Sequence, residues 1–287
     1  MFSRRLPKHL KRCLSTTKAA DFDGEMAKIY AKIAHQHRHS KGPWPLILAK
    51  VESFKLAAGS TIVDIASGPG EPAATIALNI PTVIVISTDI APDMNKIAAS
   101  RAVLIPNMKS MLADVQDLSA FADNSVDTIT CCYGFMFPED KKKAISETYR
   151  ILKPGGSMVA TYWLNLDMIL LTRDIMRRVL GTEPPSPPIN PMSLSEPGLF
   201  DSIAKQAGFV KSIQYVESTY PFDLGSDADL QYKMCTMIVK TKLDEMNAHD
   251  IARKAFEDNL ARYATKDPST GAIVIPNNTF IMATLTK

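Results

Sequence analysis

The chain has 287 residues and a mass of 31.5 kDa, with 46% hydrophobic and 22% charged residues. That is ordinary globular usage on a chain long enough to bury most of its unfolded surface, which excludes intrinsic disorder, a fibrous repeat and a disulfide scaffold. The net charge of +3 sits at the N-terminus: six of the 33 basic residues lie in the first 20 positions, which hold no acid, and the remaining 27 face 30 acids, so no nucleic-acid partner is expected.

Residues 1–18 have the composition of a mitochondrial presequence: Arg-rich, with Ser and Thr and no acid. Phe2, Leu6, Leu10 and Leu14 recur every fourth residue, opposite the basic positions. Arg12-Cys13-Leu14-Ser15 is similar to a matrix processing site, although Pro7 interrupts the helix. The expected location is the mitochondrion, with plastid or cytoplasm as alternatives. The apolar runs are far shorter than the ~20 residues that span a bilayer, so no membrane span is expected.

Residues 21–38 are predicted helical, with Met26, Tyr30, Ile33 and Ala34 on one stripe, and a second helix is expected near 45–56. Strands at 61–66, 82–88, near 110–113, 126–132 and 157–163 then alternate with helices at 71–79, 92–101 and 139–152. The strand at 82–88 is β-branched except at Ser87, as a strand buried on both faces would be. Pro92 stands in the first turn of its helix, where its missing N–H costs little. Repeating β-α units of this length predict an α/β fold with a mostly parallel, doubly wound sheet.

Beyond residue 163 the pattern loosens. An amphipathic helix is expected at 167–180. A loop at 181–193 holds five prolines, and a helix at 195–208 ends on Gly208. A strand at 209–219 and helices at 227–246 and 248–263 follow. Strands at 272–275 and 279–285, separated by a Pro276-Asn277-Asn278 turn, suggest a final antiparallel pair at the sheet edge. The 19–287 body divides into an N-terminal helical lid (21–58), a core (61–163), a substrate-cap insert (164–208) and a C-terminal sheet completion (209–287). Cys131 and Cys132 fit as small core residues and Cys235 stands alone. With no CxxC pair, neither zinc nor thioredoxin-type chemistry is expected, and no metal site is assigned.

Chemistry concentrates in Val63-Asp64-Ile65-Ala66-Ser67-Gly68-Pro69-Gly70-Glu71, a strand running into a glycine turn and then a helix. Glycines let a ligand approach the backbone, and the helix N-terminus offers free N–H groups. Asp89 ends the second strand, where a carboxylate reaches a ribose diol, and Asp114 ends the third, where one would accept an adenine amino proton. One such acid alone reads as a helix cap or solvated turn. Three at the carboxyl ends of successive strands mark the edge where open α/β sheets bind ligands.

This order resembles the class I S-adenosylmethionine-dependent methyltransferases, in the small-molecule branch (methyltransferase type 11-like) that includes the ubiquinone and menaquinone methyltransferases. The runs 114–127 and Leu152-Lys153-Pro154-Gly155-Gly156 are similar to that branch's later motifs. The resemblance implies the Rossmann-like seven-stranded methyltransferase fold, with an antiparallel last strand and a helical cap, and S-adenosyl-L-methionine as cofactor. It also implies roles. Asp64, Gly68 and Gly70 would hold the amino and carboxylate ends of the cofactor, and Asp89 the ribose. Met94 would pack on the adenine, with Ile90 also against the cofactor. Asp114 and Val115 would read the adenine amino edge. Cys132 and Tyr133 would lie beside the sulfonium, and Tyr30 would lid the site. Ala66 replaces the family's usual first glycine and is kept among the cofactor-binding residues, a methyl being tolerable there if the backbone angle is negative.

The expected acceptor is a small molecule, and no oligomeric state follows from the sequence. An in-line transfer needs alignment and water exclusion, and a base only for some acceptors. Tyr133 is taken as catalytic, and His35 as the candidate base from His35, His37 and His39, otherwise a basic helix end. Tyr133, Phe135, Phe137, Trp163 and Trp44 are candidates for an aromatic wall, with core packing preferred for Phe137. Arg173 and Arg177, four apart on one helix, suggest a small carboxylic acid; a methionine-derived thioether acid is such an acceptor. The rivals are a quinone-precursor C-methyltransferase, against which Gly134-Phe135-Met136-Phe137 lacks that family's Arg-Asn, a non-catalytic cofactor- or partner-binding protein, and an NAD-dependent dehydrogenase, against which GxGxxG spacing is missing.

Overall fold

Strands alternating with helices form one sheet in the computed structural model, which describes residues 29–30, 33–187 and 189–287. The presequence expectation and the first part of the N-terminal helix fall outside these residues. Parallel strands β1 (Thr61–Ile65), β2 (Ile84–Asp89), β3 (Met108–Leu112), β4 (Val126–Cys132) and β5 (Leu152–Leu166) make the first part of the sheet. β8 (Ile273–Thr286) lies antiparallel between β5 and β6 (Gln214–Asp223). The order is β3-β2-β1-β4-β5-β8-β6, with the two-residue β7 (Thr265–Lys266) pairing β8 off this path. This is the expected seven-stranded, Rossmann-like α/β arrangement plus a minor eighth strand. The order reverses between β1 and β4, which opens a crevice at their carboxyl ends.

The helices are α1 (Pro43–Ser53), α2 (Ala73–Asn79), α3 (Pro92–Ala102), α4 (Lys141–Ile151), α5 (Asp167–Leu180), α6 (Leu199–Ala207), α7 (Ala228–Thr236), α8 (Lys240–Met246) and α9 (His249–Leu260). Asp140 caps α4 by accepting from the Lys143 amide, and Pro92 opens α3 at its first turn. Among the described residues no helix is long and apolar enough to cross a membrane.

Several boundaries differ from expectation. Residues 35–38 form a 3-10 turn. The 227–246 helix is broken by a 3-10 turn at Met237–Val239. The strand expected at 209–219 forms at 214–223, because its pairing with β8 sets the register. Lys153-Pro154-Gly155-Gly156 lies within β5 rather than ahead of it. Pro276-Asn277-Asn278 does not turn the chain. β8 runs through it with a register shift, and buried Asn278 donates to the Tyr220 and Ile275 carbonyls, as an irregularity in mid-strand requires. Ile84 is exposed, so β2 is not covered on both faces at its start. The cap is also divided differently: α6 packs on α4, whereas α5 packs on α9 and α7.

Candidate functional site: a cleft at the sheet switch point

The floor is built first. Asp64, fully buried at the end of β1, accepts from the Ser67 hydroxyl at 2.5 Å, the Thr130 hydroxyl at 2.5 Å and the Ala73 amide at 3.2 Å. These bonds tie β1, the glycine turn, β4 and the start of α2 together. Burial dominates its ionisation and lifts the carboxyl to about 7, against the hydrogen bonds. Glu71, also buried, joins the same turn to α2 through Thr75, to α3 through Arg101 at 2.7 Å and to the N-terminal segment through Arg38 at 3.2 Å.

Above that floor lies a cleft of about 840 Å³. Its walls include Ala66, Gly68, Asp89, Ile90, Met94, Asp114, Val115, Cys132, Tyr133 and, from the N-terminal segment, Tyr30. These sequence-predicted residues therefore meet at one place. The Asp89 carboxylate is aimed by two backbone donors, the Gly68 amide and the Ala91 amide, both at 2.8 Å. Asp114 accepts from the Gln116 amide at 2.8 Å. Gln116 also lines the cleft and was not singled out from the sequence. A Cβ on Gly68 would lie 3.6 Å from the Tyr30 ring, so the glycine keeps space free beneath that lid.

Two predicted cofactor ligands are not on the walls. Asp64 lies beneath the floor with its oxygens engaged. Gly70, at φ +91°, lets α3 approach: a Cβ there would lie 3.0 Å from the Ala98 methyl. Both residues shape the turn rather than line the cleft.

Ala66 has φ +51°, so the negative angle that would make its methyl easy is not the one adopted. The methyl is accommodated by its neighbour instead. A Cβ on Gly134 would lie 2.6 Å from the Ala66 methyl and 2.7 Å from the Cys131 sulfur. We expect Gly134→Ala to cost about 1–3 kcal/mol through overpacking. Ala66→Gly, which relieves a left-handed residue, should restore part of that loss in the double variant, giving a coupling above about 0.5 kcal/mol. Urea denaturation of the four proteins measures it, and strict additivity would refute the contact.

A second cavity of about 630 Å³ adjoins the first, and Tyr30, Tyr133 and Phe137 wall both. Its other walls are mostly apolar. They include Met136, Trp163 and Phe222, Met168 from α5, Met234 from α7 and Met237 beyond it. Methionines suit a pocket that adapts to an irregular apolar guest. The cap thus draws on residues 228–239 as well as on the expected insert.

Tyr133 adopts φ +61°, an unusual conformation for a bulky residue and a frequent one at functional sites. Its ring stacks on Trp163 at 4.1 Å and 10°. Phe137 faces both cavities, contrary to the core role expected, whereas Phe135 is the fully buried core residue. Trp44 stands behind His37 at 5.9 Å rather than on a wall.

The candidate base is also corrected. His35 is exposed and on neither cavity wall. His37 is buried and lines the second cavity. It continues the buried stripe of Ile33 and Ala34, which was the available sequence signal. Its Nδ1 lies 2.7 Å from the Tyr220 hydroxyl, itself 3.2 Å from the Tyr133 hydroxyl. Burial pushes His37 down to about 3, so the ring is neutral at physiological pH. Arg173 and Arg177 do not reach either cavity. Both pair with Glu183, and Arg177 also with Asp174, so they are not a pocket for an acid.

Residues 63–160 match the methyltransferase domain family. The chain is 36% identical over 115 residues to the ubiquinone/menaquinone biosynthesis C-methyltransferase of Geotalea daltonii, covering 38% of this chain and 48% of that protein. It spans about half the length, or less, of the curated relatives it matches. The Bacillus subtilis YcgJ protein superposes with a TM-score of 0.55 at 22% identity, over 88% of this chain and 99% of that one. Haemonchus contortus phosphoethanolamine N-methyltransferase 2, in complex with S-adenosyl-L-methionine, superposes with a TM-score of 0.55 at 17% identity, over 94% of this chain and 60% of that one. Residues 63–160 are therefore similar to the methyltransferase domain family, and the chain shares the Rossmann-like fold of these solved structures.

Proposed function

We propose that this protein transfers a methyl group from S-adenosylmethionine to a small, largely apolar acceptor bearing a phenol-type ring. The observation that carries this is that the two cavities adjoin, with Tyr30, Tyr133 and Phe137 in the walls of both. The residues of the first cavity fit the cofactor. Asp89 would take the ribose hydroxyls, Asp114 and Val115 the adenine amino edge, Ile90 and Met94 its faces, and the Ala66–Gly68 backbone the amino-acid end. When bound, the cofactor supplies an electrophilic methyl on a positive sulfur. The chain's own part is to align the acceptor in line and keep water out.

The second cavity supports an apolar guest. Among the described residues its walls carry no lysine, arginine or carboxylate. That speaks against the small carboxylic acid considered from the sequence. It favours a quinone-precursor type of ring, in line with the Geotalea relative's name as a ubiquinone/menaquinone biosynthesis C-methyltransferase. The absence of a carboxylate base from those walls favours a thioether as second reading, because that acceptor loses no proton on methylation.

The test is transfer of a tritiated methyl from S-adenosylmethionine to a panel of hydroquinones, simple phenols, thioethers and small acids. Transfer to the ring acceptors is expected. Stoichiometric cofactor binding with no transfer to any of them would favour a non-catalytic role. We also propose a mitochondrial address from residues 1–18. A fluorescent protein fused after residue 20 should enter mitochondria, and a diffuse cytosolic signal would overturn that.

A further inference from the structure

We propose that Tyr133, Tyr220 and His37 form a proton relay that carries the acceptor's phenolic proton away from the site of methyl transfer. This rests on the methyltransferase reading above and gives the histidine on the second cavity's wall its part in the reaction. The three side chains come from separate parts of the fold: the loop after β4, strand β6 and the 3-10 turn before α1. They still meet in one buried line, with Tyr133 and Tyr220 hydroxyls 3.2 Å apart and the Tyr220 hydroxyl 2.7 Å from His37 Nδ1. Tyr133 stands at the junction of the two cavities, the one place from which it faces both methyl donor and acceptor. Trp163 pins its ring by stacking, and Trp44 and Phe222 pack around the His37 ring. A line of buried hydroxyls ending on a histidine is more than core packing requires, since a phenylalanine would fill the Tyr220 position without a polar atom to satisfy.

The direction of the relay follows from donors and acceptors. With the proton of neutral His37 on Nε2, the Tyr220 O–H donates to Nδ1. The Tyr220 oxygen then accepts from the Tyr133 O–H, and the Tyr133 oxygen is left to accept from a phenol. As the bond from the methyl to the phenolic oxygen forms and the C–S bond breaks, the sulfur keeps the electron pair. The phenolic proton passes to Tyr133, that of Tyr133 to Tyr220, and that of Tyr220 to Nδ1. One positive charge leaves the sulfur as one arrives on the imidazole, so the net charge of this dry site is unchanged. The opposite tautomer would reverse every donor and offer a proton to the acceptor.

The first test needs no acceptor. In protein labelled with 15N-histidine and saturated with S-adenosylmethionine, nitrogen NMR should show His37 neutral with Nδ1 unprotonated, its signals assigned by their loss in His37→Gln. A protonated Nδ1 would overturn the relay. The second test uses 1,4-naphthohydroquinone as probe. Tyr220→Phe and His37→Gln should lower kcat by about 100-fold while KM and cofactor affinity stay within about threefold. A kcat within about threefold of wild type would overturn the relay. Wild-type protein that methylates no phenol-type probe would instead overturn the function, and the nitrogen measurement would still judge the relay.

Discussion

Replacing Asp89 with alanine should raise the dissociation constant for S-adenosylmethionine by about tenfold to a hundredfold, the effect of removing a charged acceptor worth about 1–3 kcal/mol. Asp89 ends β2 on the wall of the first cavity, and the Gly68 and Ala91 amides fix its two oxygens at 2.8 Å each. Each oxygen keeps acceptor capacity beyond its amide, and a vicinal diol matches a carboxylate held in that way. The alanine variant loses the ligand contact and leaves two amides without their acceptor. Asp89→Asn separates these effects. It keeps the shape and one carbonyl acceptor, so its loss should be smaller than that of alanine. Calorimetric titration of all three proteins is the measurement. Unchanged affinity in Asp89→Ala would confine the residue to capping the turn.

Local signals in the sequence were enough to place the elements that position the cofactor cleft. β4 at 126–132 and α5 at 167–180 form where hydrophobic pattern and flanking residues predict, because each buries its own apolar stripe. The three strand-end acids were visible for the same reason, since a parallel strand delivers its last residue to one edge. What escaped depends on partners far along the chain. Asp64 looks like Asp89 in sequence, yet Thr130, 66 residues away, draws it beneath the floor. The stripe of Ile33 and Ala34 pointed to burial of His37, but its packing against Trp44 and its hydrogen bond with Tyr220, 183 residues away, lie outside any local pattern. The room for the Ala66 methyl comes from Gly134, in the loop after the neighbouring strand β4. Arg173 and Arg177 were misread because Glu183, in the proline-rich loop, folds back on them.

Asp64 should make the fold less stable as pH rises from about 4 to about 8. Its carboxyl is fully buried and lifted from 3.8 to about 7. Between those values the unfolded chain has released this proton while the folded protein retains it. The unfolded state then binds fewer protons, so stability falls with pH. The contribution is fully present below about pH 4, is lost as pH passes about 7, and stays flat beyond. Over that window the loss from this one group is on the order of 4 kcal/mol, at about 1.4 kcal/mol per pH unit. Asp64→Asn isolates it from every other titration. The amide mimics the neutral acid, with one acceptor and one donor edge, and the Ser67 and Thr130 hydroxyls can each turn to meet either. Urea unfolding of both proteins at intervals from pH 4 to pH 8 should show the wild type losing stability relative to Asp64→Asn as pH rises. A difference that stays constant, or moves the other way, would mean that the three hydrogen bonds outweigh burial and hold Asp64 ionised beneath the cleft.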